Sequence, residues 1–380
     1  MIGLFNDSFP PIMDGVAVCT WNYAYWLNEK KTPASVITPN TPNAPTEPFP
    51  VYRYSSLPLL FRKPYRIGLP TIDFRFQFLL DKTPFKLLHA HCPFTTGQMA
   101  LRLAHKRKIP FIATFHSKYR DDFERSFKSR KIADMMIKEV ISFYEKADEV
   151  WIPQAAVEET IREYGYKGNV VVMENGNDFV DNQDVELIKI DAREYLGIQK
   201  NENILLFVGQ HIWEKNTRLI IDALAQIKNL DFKMFFVGTG YASDEMKDLV
   251  KSVGLTEKVF FKGVITNREM LRKYYAAADI FVFPSIYDNA PLVVREAAAM
   301  RTPSILAKNS TASEIIIDNF NGFLTANDPK SLAHKITELL LDKSKIQSAG
   351  SNASYSIARS WSSIIDEVND RYTFWKNKNH

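Results

Sequence analysis

The sequence predicts an α/β protein of two domains, each a doubly wound parallel sheet with helices on both faces. Short apolar runs alternate with amphipathic segments in the first half of the chain, and the alternation starts again in the second half. The 380 residues are 46% hydrophobic, which is enough for two substantial cores. A polar, glycine-containing stretch at residues 175–184 is the predicted linker.

The first domain is predicted at residues 1–176. Its apolar runs have the length and the β-branched or aromatic content of buried strands, and they lie at residues 2–5, 34–38, 86–91, 109–116, 150–153 and 170–174. Helices are predicted near residues 16–30, 95–106 and 129–146. This spacing is typical of strand–helix–strand units with parallel strands.

The second domain is predicted at residues 177–358, followed by a separate C-terminal segment at 359–380. Its strand-like runs lie at residues 203–208, 232–237, 259–261, 280–283 and 304–307. Helices are predicted between them, including residues 291–300 and 345–358, and a last amphipathic helix is predicted near 362–375. In sheets of this kind ligands bind at the carboxyl ends of the strands, so candidate site residues are sought there.

Composition and charge narrow the function classes. Cys19 and Cys92 form neither a disulfide framework nor a zinc pattern, so a cytoplasmic, reducing location is expected. No apolar run approaches the length that crosses a bilayer, and peripheral contact with the inner face of a membrane stays open. Residues 51–131 contain 17 basic and 5 acidic residues, which favours an anionic partner. No nucleic-acid-binding module is recognisable, so a nucleic-acid partner is not expected.

Residues 283–314 contain the most informative pattern. A buried strand passes through a loop into a helix predicted to start near Pro291, and a helix N-terminus directs backbone N–H groups at a phosphate. Asp288 and Glu296 bracket this turn with seven residues between them, which suits the hydroxyls of a ribose and a hexose. In the alternative, Asp288 is an N-cap and Glu296 a solvated helix residue.

This pattern resembles the signature of retaining glycosyltransferases of family 4, which have the GT-B fold. The signature continues as Glu296-Ala-Ala-Ala-Met300 and Thr302-Pro303. Further family-like patches follow in family order over nearly the whole chain, at residues 14–16, 89–91, 114–116, 175–178, 209–215 and 321–324. Residues 6–10, 114–119 and 212–216 most resemble members that glucosylate diacylglycerol.

The resemblance implies two Rossmann-like domains facing a cleft, with the last helix crossing back onto the first domain. The second domain would hold a UDP-glucose-like donor, and the first a hydroxyl acceptor such as diacylglycerol. No metal or other cofactor is expected. The catalytic residues implied are His116 beside the transferred sugar, Asp288 and Lys215, which would bind the donor diphosphate. The other donor-binding residues implied are Gly15, Gly209, Gln210, Gly238, Val264, Leu292, Val293 and Glu296.

Several of these residues have a plainer alternative or depart from the family pattern. Gly15 is also what a tight turn requires. Gln210 stands where the family usually has arginine; Arg295 and Arg301 are possible substitutes, although solvated helix-face positions are expected for both. Pro291 has no N–H, which leaves the amides of Leu292 and Val293 for phosphate. We expect a rearranged site rather than an inactive one.

His91 and the basic stretch at residues 57–70 are the acceptor-side candidates. His89 and His91 share one face of a strand and Cys92 follows, which leaves two alternatives for His91, a metal site or a hydrogen-bonded wall of the cleft. Apolar residues alternate with cations in residues 57–70, as suits an anionic lipid surface; inward packing with a solvated basic rim is the alternative. The cations assigned to the acceptor or the membrane are Arg62, Lys63, Arg66 and Lys118.

The sequence therefore predicts a retaining glycosyltransferase that moves a hexose, expected to be glucose, from a nucleotide sugar to a hydroxyl acceptor. Three alternatives remain open. A capsule or polysaccharide transferase would act on a soluble acceptor without vesicles. A non-catalytic nucleotide-sugar binder, suggested by Gln210 and Pro291, would bind without turnover. A GT-B epimerase would interconvert sugars without an acceptor.

Overall fold

The structure, a computed structural model, describes residues 1–12, 14–59, 65–180 and 184–378. The chain divides into two compact units. Unit 1 comprises Met1–Gly176 and Trp361–His380, and unit 2 comprises Asn177–Ser360. Each unit has its own parallel sheet and its own hydrophobic core.

The strands of unit 1 are β1 (Ile2–Phe5), β2 (Ala34–Pro39), β3 (Val51–Tyr54), β4 (Ser56–Pro58), β5 (Arg66–Gly68), β6 (Leu87–Ala90), β7 (Phe111–Thr114), β8 (Glu149–Ile152) and β9 (Val170–Val172). Seven of them form a parallel sheet in the order β3-β2-β1-β6-β7-β8-β9. Strands β4 and β5 form a separate antiparallel pair.

The helices of unit 1 are α1 (Gly15–Glu29), α2 (Phe74–Lys82), α3 (Thr95–Arg107), α4 (Tyr119–Phe127), α5 (Arg130–Tyr144), α6 (Val157–Glu163) and α14 (Trp361–Lys378), with a 3-10 turn at Pro70–Ile72. The last helix is part of this unit because its side chains bond to the sheet. The Tyr372 hydroxyl lies 2.6 Å from His89 Nδ1, and Arg371 donates to Glu149 at 2.8 Å.

The strands of unit 2 are β10 (Ile204–Val208), β11 (Lys233–Val237), β12 (Val259–Gly263), β13 (Ile280–Phe283), β14 (Ser304–Ala307) and β15 (Phe323–Thr325). They form one parallel sheet in the order β12-β11-β10-β13-β14-β15. Its helices are α7 (Val185–Tyr195), α8 (Thr217–Gln226), α9 (Ser243–Ser252), α10 (Arg268–Ala277), α11 (Leu292–Ala299), α12 (Pro329–Leu341) and α13 (Lys343–Ser356), with 3-10 turns at Trp213–Lys215 and Thr311–Ile315.

Local sequence explains where these elements begin. Every residue of β1, β6 and β10 is buried, as expected of parallel strands covered on both faces. The side chains of Asp14 and Asn267 cap α1 and α10 by accepting from the amides of Ala17 and Met270. Helix α1 therefore starts immediately after the loop that follows β1.

The predicted fold class, with two parallel-sheet α/β domains, is confirmed. The prediction did not include β3, β4, β5 or β15. Three of these strands have only three residues, and β3 lies at a sheet edge with three of its four residues partly exposed. Such strands carry a weak periodic signal.

Candidate active site

The loops after β10 and β11 lie against each other at the carboxyl edge of the unit 2 sheet. Gly209 donates its amide to Val237 O at 3.0 Å, and a Cβ added to Gly238 would lie 1.9 Å from Gly209 O. Gly238 also has a φ of +133°, which side chains rarely allow. This close packing requires glycine at position 238. Gln210, the next residue after Gly209, is exposed at the carboxyl ends of the strands.

Lys215 and Asp288 form an ion pair at the same edge. Lys215 Nζ donates to both carboxylate oxygens of Asp288, at 2.6 and 2.9 Å, and Ser285 Oγ donates to Asp288 Oδ2 at 2.6 Å. Both charged side chains are largely buried, with exposures of 11% and 18%. Among the described residues, two of the three N–H groups of Lys215 are used in this way, so the third is available to an anion. Asp288 is a partner of this cation rather than a helix cap.

Glu296 is the acceptor of a second charged cluster. Its carboxylate accepts from Arg268 at 2.7 Å and from the Tyr275 hydroxyl at 2.7 Å. Arg268 also donates to Asp178 at 2.8 Å and lies over the Phe179 ring. Glu296 is buried, so the alternative of a solvated helix residue is wrong. A carboxylate offers about four lone-pair sites, which leaves capacity for ligand hydroxyls.

The electrostatics of this cluster follow from its burial. Burial acts to lower the pKa of the Arg268 guanidinium, but the Glu296 and Asp178 carboxylates outweigh it and raise that pKa above its ordinary value. Burial, reinforced by Glu296, raises the pKa of the Tyr275 hydroxyl well above its ordinary value. The arginine is therefore always charged, and the tyrosine is always a hydrogen-bond donor.

Helix α11 begins one residue later than predicted, with Pro291 in extended conformation as its N-cap. Within the described part of the chain, no side chain caps this end by a hydrogen bond. The first amides belong to Leu292 and Val293, and both residues are half-buried. An uncapped helix N-terminus offers N–H groups and positive potential to an anion.

The two arginines considered as substitutes at position 210 lie elsewhere. Arg295 is buried, with 2% exposure, and donates to Ile357 O at 3.2 Å, so the expectation of a solvated position is wrong for it. Arg301 pairs with Glu186 at 3.2 Å on the exposed surface. Val264, after β12, exposes 58% of its surface, and its role towards a nucleotide stays a prediction.

Gly15 is the first residue of α1 in unit 1. It is not among the residues with positive φ, and a Cβ at this position would meet no described residue within 4 Å. The backbone conformation therefore does not require glycine here, and both the donor-binding role and the plain turn glycine stay predictions. The preceding cap, Asp14, accepts from Ala17 N at 2.8 Å and from Ser8 Oγ at 3.2 Å.

His91 and His116 follow β6 and β7 and contact each other. His91 Nδ1 lies 3.1 Å from His116 Nε2, and the rings are stacked with centroids 5.4 Å apart. Burial lowers the pKa of His116 to about 3 and that of His91 well below its ordinary value. Both imidazoles are therefore neutral near pH 7. His91 is a buried wall residue, while His116 is partly exposed.

His89 and Cys92, the other residues of the metal alternative, have different partners. His89 Nε2 lies 2.7 Å from Thr114 Oγ1, and its Nδ1 faces Tyr372. Cys92 Sγ donates to Asp7 Oδ2 at 2.9 Å. Both side chains are therefore hydrogen-bonded within the protein, and neither belongs to the group of possible metal ligands found among the described residues.

The acceptor-side surface is only partly described, because Arg62 and Lys63 lie outside the described residues. Arg66 donates to Ser56 O at 2.9 Å across the β4–β5 pair. Leu57 and Ile67 face each other in that pair and expose 58% and 47% of their surface. Inward packing is therefore wrong for these two residues. Lys118 directly precedes α4. Burial raises the pKa of the Asp121 carboxyl above its ordinary value, and the Lys118 cation offsets only part of that rise.

Sequence reasoning missed Arg268 and Tyr275. Both belong to α10 and reach Glu296 from a neighbouring helix. No local pattern marks them, and only a buried carboxylate that needs partners could have suggested them.

Comparisons with known proteins define the class of this protein. The model "Glycosyltransferase Family 4" matches residues 13–179, and "Glycosyl transferases group 1" matches residues 189–355. The chain is a glycosyltransferase that carries both of these family domains, as the sequence predicted.

Two relatives and two solved structures are informative. Alpha-monoglucosyldiacylglycerol synthase of Streptococcus pneumoniae is 26% identical over 90% of this chain and 78% of its own. The enzyme of that name from Acholeplasma laidlawii is 22% identical over 88% and 87%. Sucrose-phosphate synthase of Thermosynechococcus elongatus has a TM-score of 0.80 at 22% identity over 98% of both chains. Anabaena HepE in complex with UDP-glucose has a TM-score of 0.76 at 18% identity over 98% and 99%. These structural neighbours support the GT-B fold.

Among the described residues, no helix combines the length and the apolar character needed to cross a bilayer.

Proposed function

We propose that the protein is a retaining hexosyltransferase that moves glucose from UDP-glucose to a hydroxyl of a diacylglycerol-like lipid. The observation that carries the proposal is the Lys215–Asp288 pair with the uncapped N-terminus of α11. A cation and the first amides of a helix together bind a diphosphate well. Both lie at the carboxyl ends of the strands, where α/β sheets bind their ligands.

In the donor complex, the third N–H of Lys215 and the amides of Leu292 and Val293 bind the diphosphate. Gly209 and Gly238 shape the nucleotide loops. Glu296 accepts from the ribose hydroxyls, because Arg268 and Tyr275 hold its carboxylate in one orientation. Lys215 thereby stabilises the negative charge that grows on UDP as the bond breaks.

Two residues are proposed to contact sugar hydroxyls, Asp288 in unit 2 and His116 in unit 1. Asp288 keeps free lone pairs beside its bonds to Lys215 and Ser285, so it accepts from a sugar hydroxyl. His116 is neutral, because burial lowers its pKa to about 3, and it bonds the sugar as a neutral imidazole. Positioning and charge stabilisation are then the main sources of catalysis.

Retention follows from attack on the face that UDP leaves. The acceptor oxygen bonds to the anomeric carbon while the bond from that carbon to the diphosphate oxygen breaks. The hydroxyl proton passes to the departing phosphate oxygen, so no separate base is required. The products are the α-glucosylated acceptor and UDP.

A lipid acceptor is supported by the names of the two relatives and by the surface of unit 1. Helix α2 exposes Phe74 and Phe78 by 82% and 59%, and the preceding turn exposes Ile72 by 63%. Arg75 and Lys82 are exposed on the same helix, and Lys82 Nζ lies 4.1 Å from the Phe78 ring centroid. Aromatic side chains beside cations favour the interface of an anionic bilayer.

The donor test uses the whole protein and a panel of UDP and GDP sugars. UDP-glucose is expected to raise the unfolding temperature most, and with diacylglycerol vesicles it should yield a lipid-linked glucose. Nuclear magnetic resonance of that product should show the α configuration of UDP-glucose retained. A β-linked product, or binding of the donor without turnover, would overturn the proposal.

The membrane test compares vesicles with and without phosphatidylglycerol. The double variant Phe74→Ser and Phe78→Ser should lose at least half of vesicle co-sedimentation. The matched control, Leu341→Ser and Tyr355→Ser, removes two exposed apolar side chains from unit 2 and should sediment like the wild type. Equal sedimentation of both variants, with full activity on a soluble acceptor, would favour a polysaccharide substrate.

A further inference from the structure

We propose that Cys19, His91 and His116 of unit 1 form a binding site for a zinc ion, and that zinc bound there inhibits sugar transfer. The Cys19 sulfur and one ring nitrogen of each histidine lie within 4.8 Å of one another. The three residues come from α1 and from the loops that follow β6 and β7. They are brought together by the fold rather than by sequence spacing.

The geometry is close to that of a tetrahedral site. His91 Nδ1 and His116 Nε2 are 3.1 Å apart. Two zinc–nitrogen bonds of about 2.0–2.1 Å at a tetrahedral angle separate the nitrogens by about 3.3 Å. An ion therefore replaces the proton shared by the two rings with little movement of either. The Cys19 sulfur approaches by rotation of its side chain.

The surroundings hold the His91 ring in place. It stacks on His89 with centroids 4.2 Å apart, and Tyr23 packs edge-on at 5.1 Å. These contacts keep Nδ1, the nitrogen that would bind the ion, directed at His116. The ring therefore needs little reorientation to become a ligand.

The ligand chemistry selects zinc over the harder divalent ions. A thiolate and two neutral imidazoles are zinc ligands, whereas Mg²⁺ and Ca²⁺ prefer oxygen. Cys19 is buried and binds as the thiolate, so coordination releases the thiol proton to solvent. Three protein ligands leave a fourth position for water. Since His116 is partly exposed, ions reach the site from its side.

The inhibitory consequence rests on the proposed function, while the binding does not. His116 is the residue proposed to contact the transferred sugar. A zinc ion takes the nitrogen lone pair of this ring and fixes its plane towards Cys19. The sugar then loses one positioning contact, and turnover falls.

The binding experiment uses the full chain, purified without metal, and cobalt as a spectroscopic substitute for zinc. One equivalent of Co²⁺ is expected to give a thiolate-to-cobalt charge-transfer band that one equivalent of Zn²⁺ abolishes. Cys19→Ser should remove the band. Cys92→Ser, which changes the other buried cysteine, should keep it. A band retained in Cys19→Ser would overturn the site.

Two further measurements keep the test decisive. Zinc K-edge absorption of the wild type should show one sulfur and three nitrogen or oxygen ligands, two of them imidazoles, and this measurement does not depend on any variant folding. In the transfer assay, Cys19→Ser should have unchanged basal activity and at least a tenfold higher zinc concentration for half inhibition. Stoichiometric zinc binding without inhibition would overturn the inhibitory role. Activity absent in every arm, with the metal spectra as expected, would refute the proposed function and leave the site intact.

Discussion

The carboxyl edges of the two sheets differ in their electrostatics. The edge of unit 2 holds ionised side chains in contact, Lys215 with Asp288 and Arg268 with Glu296. At the edge of unit 1, two neutral imidazoles contact each other, and burial raises the pKa of the nearby Asp14 carboxyl. The same architecture thus supports an ionic edge and a more neutral one.

This difference matches the chemistry proposed for each unit. A diphosphate is charged throughout the reaction. Cations that are already fixed in position stabilise the transition state of sugar transfer without a rearrangement of the site. A lipid hydroxyl and a sugar ring are neutral, and they bind through hydrogen bonds. The cations of unit 2 are already paired with acids, which holds them in position before the donor arrives.

The largest expected effect comes from removing the cation of the ionic edge. Lys215→Ala should lower kcat by about 10²–10³-fold, because the charge on UDP loses a preorganised partner. The measurement is initial rate at saturating donor. Lys345→Ala is the matched control, since Lys345 also pairs with a carboxylate, Glu338, at 2.8 Å, but on an exposed helix. Full activity of Lys215→Ala would mean that the ionic edge is structural.

Arg268→Met sharpens the comparison within unit 2. Arg268 lies between two acids, and its removal leaves the buried Glu296 without a cation, which should cost about 3 kcal/mol of unfolding free energy. Denaturant unfolding measures this value. Arg301→Met breaks an exposed pair with Glu186 and should cost no more than about 0.5 kcal/mol. Equal costs would contradict the buried character of the cluster.

Unit 1 also contains a buried carboxylate with several donors, at the opposite end of the strands from the histidines. Glu149 in β8 accepts from Trp151 Nε1 at 2.5 Å, from Trp375 Nε1 at 2.9 Å and from Arg371. Burial acts to raise its pKa, but these bonds outweigh it and lower that pKa below the ordinary value of 4.5. The contact attaches α14 to the sheet.

The acid sensitivity of this contact can be predicted in sign. Because the folded pKa of Glu149 is depressed, its stabilisation is complete above about pH 4.5 and is lost as pH falls through the folded value. Glu149→Gln should cost about 2 kcal/mol at pH 7 and less in acid. Glu158→Gln, in an exposed i,i+4 pair with Arg162, should cost less than about 0.5 kcal/mol. A constant difference from pH 7 to pH 3 would refute this assignment.

Much of the fold could be predicted because its strands are continuous buried apolar runs. The strands β1, β13 and β14 begin and end at the predicted residues. The sequence could not predict β15 or the β4–β5 pair, because three-residue strands are stabilised by neighbours rather than by their own periodicity.

The candidate site was predictable where a local motif marks a residue. Asp288 and Glu296 were predicted from their spacing around a helix start and Lys215 from the family resemblance, and their roles towards a donor stay predictions. Arg268 contacts Glu296 from a different helix, α10. Cys19, in α1, lies near His91, which follows β6 and is distant in the sequence. Contacts between distant segments leave no spacing in the sequence, so the structure was needed to find them.

The smallest expected effect tests how tightly the ionic edge is preorganised. Ser285 is fully buried, and its hydroxyl donates to Asp288 Oδ2 at 2.6 Å beside the Lys215 bond. Ser285→Ala should lower kcat/KM by about fivefold, equivalent to about 1 kcal/mol, because Asp288 keeps its cation but loses one fixed orientation. Ser310→Ala is the control. Among the described residues, the Ser310 hydroxyl donates only to Ala307 O, at 2.8 Å, so this variant should be less stable than the wild type but equally active. If both variants lose activity equally, the edge depends on loop stability rather than on the orientation of Asp288.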